Sequence, residues 1–253
     1  MGFDVTYHPV TPEEMHSLYF TIREQAGAED TLIRDYQLDE FDGDKLRELF
    51  TVAREASIDG DPPFASEQGF FLAVALGLLR PYHYIRGGAF SFLVEDEPRF
   101  TAYTADWHNL IPASWPAQDL PRCFSENYCV GVYLPLEQLR RLRQDAAENP
   151  EIHASLSKVF GEGTLELFWQ AVDDAIAQNR GLLEATDIIE PNPVNPEESA
   201  GYANIDLCHP EGLQRYFDTA QRQLDRALGT RAIQGKIDRE NITVTPEPDK
   251  KPD

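Results

Sequence analysis

The sequence predicts an α+β fold: a single, predominantly helical domain with a few short strands. Three observations carry that expectation. Apolar residues recur at helical spacing in segment after segment, whereas strand-like runs are short and scattered between them. Strands and helices do not alternate as a parallel sheet would require, and no internal repeat divides the chain. The 42% hydrophobic content of the 253 residues is enough for one substantial core. Residues 1–240 are therefore expected to form one globular α+β domain. Residues 241–253 carry Pro246, Pro248 and Pro252 among few apolar side chains, and are expected to be a disordered tail.

At the start, Phe3, Val5 and Tyr7 alternate with Asp4, Thr6 and His8, the period-two pattern of a strand with one buried face. In "TPEE", Thr11 can cap a helix, Pro12 fits its first position and Glu14 completes a capping box; Met15, Leu18, Tyr19 and Ile22 then follow on one face. A second helix is expected over about 44–56, with Leu46, Leu49, Phe50 and Ala53 aligned and "SIDGDPPF" as its stop. Ser66 is placed to cap a helix running to Leu79 and stopped by Pro81. That helix is apolar around nearly its whole circumference and should sit centrally.

From His83 to Ile111 the pattern reads as strands: "FSFLV", a turn at "EDEP", then "RFTAYTADW". Residues 111–121, with three prolines, read as an ordered loop. "YCVGVYL" (128–134) looks like a buried strand, after which Pro135 opens a helix through Leu136, Leu139 and Leu142. A further helix over about 164–179 presents Leu165, Phe168, Trp169, Val172 and Ile176. "EPNPVNPEE" is a loop by composition, and a last helix spans about 210–228.

The formal net charge is -22, from 44 acidic and 22 basic residues. Such a field repels phosphate backbones and anionic lipid surfaces, so neither nucleic acid nor membrane is an expected partner; a basic protein is. The apolar run from Gly69 to Leu79 is about half of the roughly 20 residues that cross a bilayer. The opening residues lack the basic and apolar stretches of a secretory signal, and three cysteines without metal-type spacing fit a reducing cytoplasm.

No familiar catalytic motif is present. "FGEGTLE" lacks the third glycine and the Lys-Ser/Thr pair of a phosphate loop, and there is neither G-x-S-x-G nor H-E-x-x-H. "DEFDGDKLREL" does not place oxygen ligands in the register of a calcium loop. No metal and no cofactor is expected on these grounds. Cys129 reads as a small core residue.

Two sets of residues remain as candidates. His83, Arg86, Asp106 and His108 would supply proton transfer, anion binding and histidine orientation to a small-molecule hydrolase, if they converge beside Gly87-Gly88. The alternative is a packed aromatic edge. For partner binding, the dense acidic patch offers Asp35, Tyr36, Asp39, Glu40, Phe41, Asp42 and Asp44, and the polar side of the 164–179 helix offers Glu166, Asp173 and Asp174. Aromatic anchors are sought in Tyr36, Phe41, Phe64 and Trp115. The alternative for both acidic sets is a solvated face, the ordinary state of charged helix surfaces.

The stretches "GFDVTYHPVTPEEM" and "YCVGVYLPLEQLRRL", about 29 of the 253 residues, resemble bacterial immunity-type proteins that accompany contact-dependent or type VI secreted toxins. The resemblance implies a role and no particular binding residue: a non-enzymatic cytoplasmic protein that binds a cognate toxin domain and occludes its active site.

Overall fold

The chain builds an α+β fold in which helices cover both faces of a small antiparallel sheet. The computed structural model describes residues 3–58, 64–115, 120–161 and 163–233, so the tail expected at 241–253 lies outside the described residues. In chain order, β1 (Asp4–Val10) leads into α1 (Pro12–Met15), a π turn (His16–Phe20) and α2 (Thr21–Glu24). Next come α3 (Glu29–Asp35), α4 (Glu40–Glu55), a second π turn (Phe64–Gly69) and α5 (Phe70–Leu79). Then follow β2 (His83–Arg86), α6 (Phe90–Asp96) and β3 (Val130–Leu134). The last part contains α7 (Leu136–Glu148), α8 (Pro150–Phe160), α9 (Thr164–Ala177), β4 (Gly181–Thr186), β5 (Ile189–Glu190), β6 (Ala200–Gly201) and α10 (Pro210–Ile233).

The main sheet has the order β2-β1-β4-β3, every pair antiparallel. One face carries Val5, Tyr7, Ile85, Val132, Leu134 and Leu182 into a core completed by α6, α7, α8 and α9. The other carries Val10, Tyr84, Val130, Tyr133, Leu183 and Ala185 against α5, with α2 and α4 packed beyond it. The alternation in β1 was expected to leave one face in water, yet all seven of its residues are buried. The second helical layer closes over that face, so its polar side chains find partners inside. The Thr6 hydroxyl donates to the Ala185 carbonyl at 3.3 Å and lies 3.0 Å from His8 Nε2, while the Asp4 carboxylate accepts from Tyr84 Oη and pairs with Arg86. Partnered polar groups make burial on both faces tolerable.

Several local expectations hold at the atomic level. Thr11 Oγ1 accepts from Glu14 N at 3.2 Å, and Glu14 Oε2 accepts from Thr11 N at 3.0 Å, closing the capping box. In α5 every residue but Phe71 is buried, as its all-round apolar character requires. The segment 90–103 departs from expectation, since "FSFLV" forms α6 and residues 98–103 form a 3-10 helix in place of two strands. The Glu184 carboxylate of β4 explains the first departure. It accepts hydrogen bonds from Phe90 N and Ser91 N, the first two amides of α6, and from Tyr7 Oη at 2.7 Å. A tertiary cap thereby fixes a helix where side-chain type favours a strand.

Glu184 is fully buried, and the sheet is shaped around it. Between Val130↔Ala185 and Tyr133↔Leu183 the register shifts, so Gly131 and Val132 together face Glu184. A Cβ on Gly131 would stand 2.2 Å from Glu184 Oε1. The bulge supplies the extra residue, and glycine supplies the room.

Two outcomes follow for stability. Gly131→Ala should lower the unfolding free energy by about 1–3 kcal/mol, the usual range for overpacking a filled core, as read by urea unfolding. The second concerns pH. Burial raises the Glu184 pKa, against the lowering effect of its donors, so the folded chain keeps this proton to higher pH than the unfolded chain does. Stability should therefore fall as pH rises from the ordinary glutamate pKa of about 4.3 to the raised folded value, and that portion of the slope should vanish in Glu184→Gln.

Candidate functional site

The start of α4 is the densest part of the acidic patch. Asp39 caps the helix, its Oδ1 accepting from Asp42 N at 2.8 Å. This directs Phe41 outward, with 69% of its surface exposed, where Lys45 Nζ lies 4.7 Å above its ring. The same Lys45 ammonium donates to the Gly201 carbonyl at 3.2 Å. Asp42 turns inward, accepts from Asn204 Nδ2, and has its pKa raised by burial and by the nearby Asp39. Asn204 N also donates to the Gly77 carbonyl at 3.2 Å. The segment carrying β6 is thus tied to both α4 and α5, and a cleft of about 430 Å³ separates it from the α4 N-terminus.

Beyond Gly201 the surface continues as aromatic. Tyr202 is 55% exposed and packs edge-on to Phe70, with ring centres 5.3 Å apart; Tyr128, 43% exposed, lies 6.1 Å from Phe70 and 6.5 Å from Tyr202. Tyr128 Oη donates to Glu190 Oε1 at 2.6 Å. Its backbone takes φ = 53°, a left-handed conformation uncommon for an aromatic residue, so the exposed ring is held at a local conformational cost. Tyr202 and Tyr128 form an aromatic strip over Phe70, while Phe41 is exposed at the α4 N-terminus, on the Lys45 side of Gly201. Asp39, Glu40, Glu190 and Asp206 are exposed as well. Tyr128 and Tyr202 were not among the anchors expected from sequence. Nothing in "YCVGVYL" distinguishes a tyrosine at a strand's solvent end from one inside it.

The remaining expected partner-binding residues divide between two regions. Asp35 and Asp44 are exposed and paired with Arg34 and Arg47, and Glu40 is exposed. Tyr36 packs partly against the core, its hydroxyl accepting from Arg80 Nε at 3.4 Å. Phe64 and Trp115 are core residues: Phe64 packs on Trp107 at 5.4 Å, and Trp115 on Phe20 at 5.3 Å. Glu166, Asp173 and Asp174 belong to α9, across the sheet from α4. They do not extend the aromatic strip. Asp173 is held by Arg143 through two 3.0 Å hydrogen bonds, and Asp174 Oδ2 lies 3.2 Å from His83 Nε2.

The set His83, Arg86, Asp106 and His108 does not converge. His83 and Arg86 lie on β2, one edge of the sheet. Asp106 and His108 follow Ala105, whose N–H donates to Tyr133 O on β3, the opposite edge. Three strand spacings, about 14 Å in total, separate those edges. Arg86 pairs with Asp4, whereas Asp106 accepts from His108 N at 3.1 Å and lies 3.6 Å from Arg122. His83 instead stacks on His209, ring centres 4.1 Å apart, and burial followed by that neighbour lowers its pKa. The thiols are poor nucleophiles: burial pushes Cys129 up to about 11 and Cys208 up to about 12, and raises Cys123 as well. No helix among the described residues is long and apolar enough to cross a membrane.

No family model, no curated protein and no solved structure matches the chain. The candidate surface therefore stands on its geometry. If the Asp42–Asn204 bond fixes the β6 segment, Asp42→Ala should cost about 0.5–1.5 kcal/mol, the net worth of a hydrogen bond whose donor, Asn204, is half-buried. Limited proteolysis should then cut first between residues 191 and 207, which the parent protein protects.

Proposed function

We propose that the chain is a non-catalytic binding protein of the immunity type, which neutralises a toxin domain by covering a basic active-site surface. The observation that carries this reading is the exposed pair Tyr202 and Tyr128, with Phe41 exposed on α4, which Lys45 ties to the neighbouring Gly201, and with exposed carboxylates at Asp39, Glu40, Glu190 and Asp206. Exposed rings of this size lose little conformational freedom on binding and bury large apolar area, which is why aromatic side chains dominate the energetics of interfaces. The carboxylates serve a different step. A chain of net charge -22 attracts a basic partner before contact, and these carboxylates orient the encounter. A toxin acting on nucleotides or nucleic acid presents such basic groups to phosphate, and the cytoplasm of the producing cell is where this protection is needed. The resemblance of the 2–15 and 128–142 stretches to immunity-type proteins supports the same role, and Tyr128 of the strip lies within the second stretch.

Co-expression with toxin domains encoded beside this gene should rescue growth and yield a purifiable complex. Phe41→Ala and Tyr202→Ala should each weaken that complex by about 5- to 30-fold, chiefly through faster dissociation, with thermal midpoints unchanged. Asp39→Asn with Glu40→Gln should slow association and flatten its salt dependence. Failure of every adjacent toxin to bind or be neutralised would remove the reading.

A further inference from the structure

On the other side of the sheet from the aromatic strip, three chain segments bring ligating atoms together. His83 opens β2, in register with Tyr7 of β1. Asp174 lies on α9, and its carboxylate also takes a hydrogen bond from Gln178. His209 immediately precedes α10; its N–H donates to Tyr82 O at 2.8 Å, while Tyr82 N donates to Leu207 O at 3.2 Å. These backbone bonds hold the two imidazoles side by side, 14° from parallel. Both Nε2 atoms face the same carboxylate oxygen, Asp174 Oδ2, at 3.2 and 4.0 Å. All three candidate ligand atoms lie within 4.8 Å of one another, the single such trio among the described residues.

We propose that His83, Asp174 and His209 form a binding site for one first-row divalent cation of the zinc type, held by two imidazole nitrogens and one carboxylate oxygen. A tetrahedral ion with bonds of about 2.0–2.2 Å sets its ligand atoms roughly 3.3–3.5 Å apart. The two separations from Asp174 Oδ2, 3.2 and 4.0 Å, lie on either side of that value. Binding requires His209, whose side chain is 38% exposed, to turn out of its stack on His83 so that the in-plane lone pairs of both rings meet the ion. The donor set selects the metal class, because two imidazoles suit zinc, cobalt or nickel, whereas magnesium and calcium take oxygen ligands. His83 is nearly enclosed, but Asp174 and His209 reach the surface, so solvent completes the coordination from outside. The ligands come from β2, α9 and the start of α10. A bound ion therefore fastens α10 to the sheet as well as to α9. This site stands independently of the toxin-binding reading, which uses the opposite face.

The test uses the full-length protein without an affinity tag, stripped with chelator and titrated with zinc sulfate by calorimetry or equilibrium dialysis. One equivalent should bind at micromolar or lower concentration, persist in excess magnesium, and raise the thermal midpoint by several degrees. Cobalt(II) in its place should give visible ligand-field bands. His209→Ala and Asp174→Asn should each weaken zinc binding by at least about 10-fold and abolish the thermal shift, with His108→Ala and His153→Ala unchanged. His209→Ala alters a partly exposed side chain, so its chelator-treated form should melt near the parent temperature and serve as the folding control. Absence of stoichiometric uptake by the parent protein, or uptake undiminished in both ligand variants, would overturn the proposal and leave a plain hydrogen-bonded His83–Asp174 pair.

Discussion

A fully buried glutamate, with no counter-ion among the described residues, constrains this fold more than any other group. Removing a carboxylate from water costs several kcal/mol unless hydrogen bonds and local dipoles offset it. Here the offset comes from Tyr7 on β1 and from the first two amides of α6, which orient a helix N-terminus at the carboxylate. Each requirement shapes a different element. The bulge at Gly131 makes space, the tyrosine has to point into the helical layer, and residues 90–96 have to coil although their side chains favour an extended chain. Glu184 thus couples β1, β3, β4 and α6, and the layer of α7, α8 and α9 packs over the result.

The sheet also divides the molecule into two faces with separate chemistry. On the α4–α5 side, polar bonds from Asp42, Lys45 and Asn204 brace the loop that displays Tyr202 beside Tyr128. On the α9 side, acidic residues are mostly engaged: Asp173 by Arg143, and Asp174 by two histidines. Net charge alone hides this difference. Asp173 is held by arginine through both carboxylate oxygens, whereas Asp35 and Asp44 meet Arg34 and Arg47 through one oxygen each, so the two acidic segments that looked equivalent along the chain are held differently.

The two proposals use this division. Aromatic anchors with exposed carboxylates suit protein recognition, in which a few desolvated rings supply affinity and the charges govern encounter. The histidine pair sits where α10 joins the body, a place suited to fastening one element to another. Neither arrangement places a nucleophile beside a base, and the three thiols are held protonated by burial.

Local patterns determined much of the framework. The alternation of residues 3–8, the Thr11–Glu14 capping box, the all-round apolarity of α5 and the amphipathic faces of α7 and α9 are properties of neighbouring residues, and short-range sterics and hydrogen bonding suffice to express them. Elements whose cause lies elsewhere in the chain were not legible in this way. The short run of β4 carries a glutamate that looks like a surface residue until Tyr7 and α6 surround it, and α8 was missed although Asn149-Pro150 gives a cap and a first-position proline. Residues 90–103 read as strands because the cap that makes α6 a helix arrives from position 184. The sites follow the same rule. Acidity and a possible basic partner are compositional, but Tyr128 beside Tyr202, and His83 beside Asp174 and His209, are juxtapositions across dozens of residues. Only tertiary packing creates them, because it is the sheet order that decides which distant side chains share an edge and which, like His83 and His108, are set at opposite ends.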